Sequence, residues 1–343
     1  MKKIIVTGHS GFIGVHLVRL LKEQGYYVIG IDTNYFGEEC NFFDYTKPDK
    51  EIIKDIRNIE EKDLEDVYAV CHLAGLSNDP MGELNEELTY DINYRASTRL
   101  AELSKKMSVE KFIFSSSCSM YGIADGDVAL DENAKFAPVT AYAISKVKTE
   151  MDVKLMGDEN FSVSFLRNAT AYGISPKLRL DLVVNNLVGW AVTTGSIRIM
   201  SDGTPWRPLV HSEDIARAFV AVINAPKNEV SGKSFNVGQN GENYQIKDIA
   251  QMVGEIIPNC NVEITGEHGS DSRSYKVNFS KIATELPGFK PKWKLHQGIE
   301  EIYNSYKEHK FNEQMFNGRY FTRLKQLEYL TNNDLINDSL YWN

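Results

Sequence analysis

Lys3-Ile-Ile-Val-Thr-Gly8-His-Ser-Gly11-Phe12-Ile13-Gly14 is the stretch from which the fold is read. Ile4, Ile5 and Val6 form a short apolar, β-branched run, as a buried strand requires, and a glycine loop follows at once. A helical pattern comes next, with Leu17, Leu20 and Leu21 on one face and Gly25 near its end. Tyr27-Val-Ile-Gly-Ile31 reads as a second strand, which stops at Asp32. Strand, glycine loop, helix, strand and acid in this order make a dinucleotide-binding unit. Gly8, Gly11 and Gly14 let the backbone turn tightly and approach a pyrophosphate, with Phe12 and Ile13 in the same loop, and the helix N-terminus meets its charge. Asp32 falls where a carboxylate accepts hydrogen bonds from an adenosine ribose. It would repel a 2′-phosphate, and no Arg or Lys follows closely in Thr33-Asn34-Tyr35, so the cofactor predicted is NAD rather than NADP.

The pattern continues outward from this unit. Lys54-Asp55-Ile56-Arg57 suits a loop after a third strand, with Asp55 able to reach the adenine; a plain surface turn is the alternative. Tyr68-Ala-Val-Cys-His-Leu73 is a fourth strand, and it runs into small residues, Ala74-Gly75-Leu76-Ser77, across which a cofactor can lie. His72, inside an apolar strand, is expected to be a satisfied structural histidine. Asn93 lies in a helical stretch, and Lys111-Phe-Ile-Phe114 and Phe161-Ser-Val-Ser-Phe-Leu166 are further strands. Strands alternating with helices at this spacing predict an α/β fold, a Rossmann doubly wound parallel sheet with a smaller α/β substrate-binding lobe. The expected division is 1–166 for the NAD-binding domain, with returns near 207–238, then 167–303 mainly for the substrate lobe. Residues 304–343 form a C-terminal extension, rich in Asn, Tyr and charged side chains, that packs either on the surface or at a subunit contact.

The chemistry is carried by two stretches on either side of residue 130. Ser115-Ser-Ser117-Cys118-Ser119-Met-Tyr121-Gly122 follows the fifth strand, and Tyr142-Ala-Ile-Ser-Lys146 lies in a helix that begins near Thr140. On a helix, Tyr142 and Lys146 at i and i+4 share a face. A free tyrosine has a pKa of about 10, too high for a good base at neutral pH, and an adjacent ammonium favours the phenolate. Ser117 at a nearby strand end can hydrogen-bond the same substrate oxygen. Together these groups can move a hydride on or off a carbon that bears a hydroxyl. A lone Tyr-x-x-x-Lys is more often a pair of half-exposed helix residues; the glycine loop and strands upstream give it weight.

Bulk properties narrow the remaining choices. The 343 residues carry a formal charge of -9, with 42% hydrophobic and 25% charged, which is ordinary globular composition. An acidic chain is a poor general nucleic-acid surface, so an anionic ligand must be held by local cations and backbone amides. No run approaches the ~20 apolar residues of a membrane span, and no signal segment is recognisable, so neither nucleic acid nor membrane is an expected partner. Cys40, Cys71, Cys118 and Cys260 are scattered, which predicts a reduced cytoplasmic protein without a metal site.

These motifs in this order resemble the extended short-chain dehydrogenase/reductase family, in its NAD-dependent nucleotide-sugar epimerase/dehydratase branch. The resemblance covers the chain to about residue 303. It rests on the glycine loop, Asp32, Asp55, His72-Leu73-Ala74, Asn93, Ser115-Ser-Ser117, Tyr121-Gly122, Tyr142-x-x-x-Lys146, Arg207-Pro-Leu-Val-His211, Asn236-Val-Gly238 and Arg273-Ser-Tyr275. It implies Ser117, Tyr142 and Lys146 as the catalytic set, Lys146 also holding the nicotinamide ribose. It implies Gly8, Gly11, Phe12, Ile13, Gly14, Asp32, Asp55, Ile56, Leu73, Ala74, Gly75 and Asn93 at the cofactor. Ser117, Cys118, Ser119, Asn168, Thr170, Arg207 and Arg273 are implied at the substrate. The two arginines would clamp a sugar-nucleotide diphosphate, guanidinium forks being suited to phosphate oxygens; ordinary surface ion pairs are the plain alternative. A homodimer is implied as well.

The departures from the pattern bear on the reaction. The 4,6-dehydratases of the family carry Asp-Glu after the catalytic Ser/Thr, and decarboxylases keep the glutamate; here Cys118 and Ser119 stand in those places. A 3,5-epimerase cysteine would lie two residues after the serine, whereas Cys118 lies one after it, so an acid/base thiol and a buried strand-end thiol are both open. Thr170 replaces a usual asparagine, with Asn168 two places earlier. The expected reaction is therefore nucleotide-sugar epimerisation through transient oxidation at C4. A net C4 dehydrogenase or 4-ketoreductase is the alternative, and a non-catalytic NAD-binding regulator the reading from another class.

Overall fold

Residue by residue, β1 (Lys3–Thr7) sends Ile4 and Val6 into one hydrophobic core and Ile5 into another. That alternation is what a strand buried on both faces produces, and it places β1 at the centre of a sheet. The computed structural model, which describes residues 1–77, 85–123, 128–267 and 274–343, shows that sheet. β2 (Tyr27–Asp32), β3 (Lys50–Ile53), β4 (Val67–His72), β5 (Lys111–Ser117) and β6 (Ser162–Asn168) join β1 in it. β7 (Thr170–Tyr172), β8 (Ser196–Ile199) and β9 (Trp206–His211) lie outside, and β10 (Ser234–Val237) completes the order β10-β6-β5-β4-β1-β2-β3. All neighbours pair in parallel. The order reverses between β4 and β1, and a crevice for a ligand opens at the carboxyl ends of the strands at such a switch point.

Helices cover both faces. On one, α1 (Gly14–Glu23) contributes Leu17 and Leu21 to the core, as its apolar spacing predicts. On the other, α2 (Ala96–Lys106) and α3 (Ala141–Met156) contribute Leu100 and Val153. Thr140 caps α3, its Oγ1 accepting from the Ala143 amide at 3.2 Å, and so fixes where Tyr142 and Lys146 fall. α4 (Val183–Thr194) belongs to a second lobe, and α5 (Ser212–Asn224) returns to the sheet beside α1. In the second lobe β9 pairs with both β7 and β11 (Asn243–Gln245), and β8 pairs with β12 (Asn261–Ile264). Leu187, Leu209 and Ile249 form its core with α6 (Ile246–Ile256) and α7 (Leu295–Glu308), which adds Ile299 and Ile302.

The expected boundary at residue 303 falls inside α7. Beyond it, Phe311, Phe316 and Phe321 still belong to the second-lobe core, whereas Leu327 and Leu330 of α8 (Arg323–Asn332), with Ile336 and Leu340 after it, join the core of the cofactor half with Ile5 and Ile31. No helix among the described residues is long and apolar enough to cross a membrane.

One buried ion pair ties α3 to the sheet. Arg167 on β6 meets Glu150 at 2.8 Å, with both side chains almost fully buried. It also donates to the Tyr121 hydroxyl and the Glu132 carbonyl. Removing one member of such a pair strands a charge in low dielectric. Glu150→Gln is therefore expected to lower unfolding stability by about 3–5 kcal/mol, read from urea denaturation. An effect below about 1 kcal/mol would mean that water reaches Arg167.

Candidate active site

The glycine loop forms the middle of a cleft of about 420 Å³ that runs over the carboxyl ends of the strands on either side of β1. Gly8 has φ +71°, a left-handed conformation that side chains rarely adopt, and a Cβ at Gly14 would meet the Gly8 carbonyl oxygen at 2.1 Å. The loop can pack this tightly, with the α1 N-terminus pointing into the cleft, only as glycine. Asp32 stands at the end of β2 on the same wall, its carboxylate accepting from the Ser10 and Asn34 amides at 3.2 and 2.9 Å.

The floor of the cleft is held by a buried relay. Ser97 donates its hydroxyl hydrogen to the Asn93 carbonyl at 2.8 Å, so its oxygen receives a proton from His72 Nε2 at 2.7 Å. His72 Nδ1 then accepts from Thr7 Oγ1 at 2.7 Å, and Thr7 Oγ1 takes the Leu73 and Ala74 amides. Burial, with Lys146 nearby, lowers the His72 pKa to about 3 and keeps the ring neutral, as this pattern needs. His72 is structural. Asn93 is tied up as well: it accepts from the Leu76 amide at 2.7 Å and donates to the Leu76 carbonyl at 2.9 Å. It is almost fully buried and supports the loop from beneath rather than lining the cleft, contrary to its expected place at the cofactor.

Gly11, Phe12, Ile13, Leu73, Ala74 and Gly75 do line the cleft. Asp55 and Ile56 lie at its far end, but both oxygens of Asp55 are engaged by Arg57, with guanidinium contacts of 2.7 and 3.0 Å and a backbone amide at 2.8 Å.

Ser117, Tyr142 and Lys146 come together at the opposite end. Ser117 terminates β5 and its Oγ accepts from the Ser119 amide at 3.1 Å, opening a tight turn over Cys118–Tyr121. Lys146 is buried; its ammonium donates to the Ser115 carbonyl at 2.8 Å and lies 5.6 Å from the centre of the Tyr142 ring. Burial pulls its pKa down to about 8, partly offset by Glu150. Nearby, Ser119 Oγ and Asn168 Oδ1 are buried without a hydrogen-bond partner, which suits groups that a ligand completes. Asn168 also donates to Ser115 Oγ at 3.0 Å. Thr170 and Arg207 line the same stretch; Arg207 is held from β9, its guanidinium donating to the Trp206 carbonyl at 2.9 Å. Arg273 lies outside the described residues.

Cys118 is a correction. Its side chain is buried on the far side of the turn, with Sγ 3.1 Å from the Arg167 carbonyl oxygen, and it does not line the cleft. Burial pushes its thiol pKa upward. A thiol so placed is kept in its neutral form and faces the core rather than the cleft, which fits the buried strand-end thiol and not the expected substrate-binding or acid/base role. Cys118→Ala is expected to keep turnover within about twofold while costing about 1 kcal/mol of stability; a hundredfold loss of turnover would restore the thiol to the chemistry.

Three further cleft residues carry charge that the motifs do not mark. Arg179 donates to Ser77 Oγ at 3.1 Å and pairs with Asp181 at 2.8 Å, and Arg323 comes in from α8. The first two stand in an irregular stretch and the third some 180 residues from the tyrosine (323 − 142 = 181), so no local pattern identifies them.

Among the described residues no group of His, Cys, Asp or Glu is placed to hold a metal ion. The donors, the glycine cradle and the orphaned polar atoms fit a dinucleotide with a second ligand beside its far end.

Comparison with known proteins agrees with this geometry. Residues 4–238 match the model of the NAD dependent epimerase/dehydratase family. A putative UDP-glucose 4-epimerase of Methanocaldococcus jannaschii is 28% identical over 309 residues, which is 88% of this chain and 97% of that one. UDP-glucuronic acid decarboxylase 2 of Arabidopsis thaliana is 26% identical over 321 residues, 91% of this chain and 70% of that one. The crystal structure of UDP-glucuronic acid 4-epimerase from Bacillus cereus, in complex with UDP-glucuronic acid and NAD, superposes with TM-score 0.74 at 26% identity. It covers 89% of this chain and 99% of that one.

Proposed function

Since the chain belongs to the NAD dependent epimerase/dehydratase family and is thus an NAD-dependent enzyme, we propose that it epimerises a nucleotide sugar at C4, with UDP-hexoses as the first substrates to assay. The observation that carries this reading is the meeting of Ser117, Tyr142 and Lys146 at the end of the cleft away from Asp32 and Asp55, with Ser119 rather than a carboxylate beside them. That set handles a hydroxyl proton, and it offers no acid at the position from which dehydratases expel water.

Tyr142 takes the proton of the sugar 4-hydroxyl, and Ser117 holds that oxygen in line. NAD, when bound, supplies the two-electron chemistry by accepting and returning a hydride. Lys146 places its positive charge behind the phenol and beside the cofactor ribose. Arg207 holds the diphosphate of the substrate, so that the 4-keto sugar turns over about its anchored end without leaving. Tyr142 then returns its proton to the C4 oxygen, and the configuration at C4 is inverted because the turned sugar takes the hydride back on its other face. Ser119 and Asn168, with their unpaired atoms, are assigned to the sugar hydroxyls.

Incubating the protein with NAD and a panel of UDP-sugars, with products read by NMR and NADH by absorbance, tests the reading. A C4 stereoisomer without accumulated NADH is expected. NADH rising in step with a keto sugar would make the protein a net dehydrogenase instead.

A further inference from the structure

The cofactor has to span the whole cleft, with its adenosine ribose at Asp32 and its nicotinamide by Tyr142 and Lys146. Its diphosphate therefore lies between them, over the start of α1. The C-terminal segment reaches the cleft beside Phe36 and Lys177. Arg323, the first residue of α8, lines the cleft, yet only 3% of its surface is exposed. Its Nη2 donates to the Lys177 carbonyl at 3.1 Å, and its guanidinium stacks 4.2 Å over the Phe36 ring. Its Nη1 is buried with no hydrogen-bond partner, and no carboxylate pairs with it among the described residues. Asp32 lies within its field from the adenosine side, and Arg179 and Asp181 from the Tyr142 side. Arg179 has its own carboxylate partner in Asp181; Arg323 does not.

A buried guanidinium with Asp32 and Asp181 in its field but no carboxylate in contact is costly unless a ligand completes it. Burial, and Arg179 nearby, pull its pKa down to about 10, in keeping with a site that waits for an anion. The rest of the segment fastens it to the loops beside the adenosine. Trp342 Nε1 donates to the Thr33 carbonyl at 2.7 Å and Gln326 Nε2 to the Tyr35 carbonyl at 3.0 Å. The Tyr35 hydroxyl donates to the Leu340 carbonyl, and the Arg57 guanidinium stacks 3.8 Å over Tyr341.

We propose that the C-terminal segment from Arg323 to Trp342 is part of the cofactor site, and that Arg323 binds the diphosphate of the dinucleotide. The inference rests on the cleft holding NAD as proposed above, and on nothing about the sugar. An enzyme that returns its hydride has reason to retain the cofactor between turnovers, and a strap from the far end of the chain provides it.

The test is calorimetric titration of the full chain, stripped of cofactor, with NAD, ADP and adenosine. Arg323→Met fills the space with an apolar chain, and Arg323→Gln keeps a donor for the Lys177 carbonyl without the charge. In both, NAD and ADP are expected to bind at least tenfold more weakly, with adenosine unchanged within twofold and the melting temperature of the apo-protein not lowered. Should one variant fail to fold, the other decides. ADP bound as tightly by a folded variant as by the parent would overturn the inference, as would an equal weakening of adenosine. Failure of the parent to bind ADP at all would remove the cofactor reading of the cleft together with it.

Discussion

Tyr142→Phe is expected to lower turnover by about 10²–10⁴-fold while NAD binding changes by less than about threefold. The size is that of losing a positioned acid/base, and the selectivity follows from geometry. Removing one hydroxyl leaves the ring, the helix α3 that carries it, and the Lys146 ammonium 5.6 Å from its centre in place. Turnover on a UDP-sugar and NAD affinity by calorimetry separate the two effects. A variant that keeps more than a tenth of parental turnover would mean that another group moves the proton. A variant that loses NAD as well would mean that Tyr142 is a binding residue.

Lys146→Met is expected to act in two opposite directions. Turnover falls at least about 100-fold, because the charge behind the phenol and the donor for the cofactor ribose both go. The apo-protein, however, is expected to become more stable. Lys146 is buried, and in the fold its pKa drops from 10.5 to about 8, chiefly through desolvation. Between pH 8 and 10.5 the unfolded chain therefore binds more protons at this site than the folded one, so this site's contribution makes stability rise with pH across that window. Below pH 8 both states are protonated and the full cost of burying the ammonium remains, a few kcal/mol at most at about 1.4 kcal/mol per pKa unit. Methionine fills the same space without that cost. Denaturation of parent and variant at pH 7 and pH 10 checks both parts. The stability gain should be present at pH 7 and shrink at pH 10. Equal stability at pH 7 would mean that the ammonium is better solvated than its burial implies, and a fall would mean that its bond to the Ser115 carbonyl outweighs the cost.

Much of the fold and part of the site are legible in the sequence because they are dictated locally. A loop that needs φ +71° at Gly8 and no Cβ at Gly14 can be built from few residue types, so its spacing survives as a pattern. Tyr142 and Lys146 share a face because a helix puts i and i+4 together, and Thr140 fixes the start of that helix. His72 reads as structural from its place in an apolar strand, and its partners in Thr7 and Ser97 are of the kind expected.

Side-chain direction is harder to read. Cys118 is the first residue of the turn that follows β5, and the turn, not the strand's alternation, puts its thiol in the core with Ile113 while Ser117 and Ser119 line the cleft. Asn93 is different: its amide turns inward to hold both polar groups of Leu76, a contact 17 residues away that the helix pattern around it does not announce. Arg179 and Arg323 leave no local signal at all. They reach the cleft only through the packing of the second lobe and of the C-terminal segment, and the core formed by Leu327, Leu330, Ile336 and Leu340 with Ile5 and Ile31 exists only once the chain is folded. The end of the segment expected on a surface or at a subunit contact packs against the chain's own cofactor half.

Transient oxidation at C4 is tested most directly by following one hydrogen. A UDP-hexose labelled with deuterium at C4 is incubated with the protein and NAD in ordinary water, and the epimer is examined by NMR and mass spectrometry. The mechanism around Tyr142 predicts that the label is kept at C4 of the epimer, since the hydrogen leaves and returns within one closed site while only the hydroxyl proton exchanges. Epimer in which C4 carries solvent hydrogen, or label kept at C4 with inversion at C3 or C5, would contradict it.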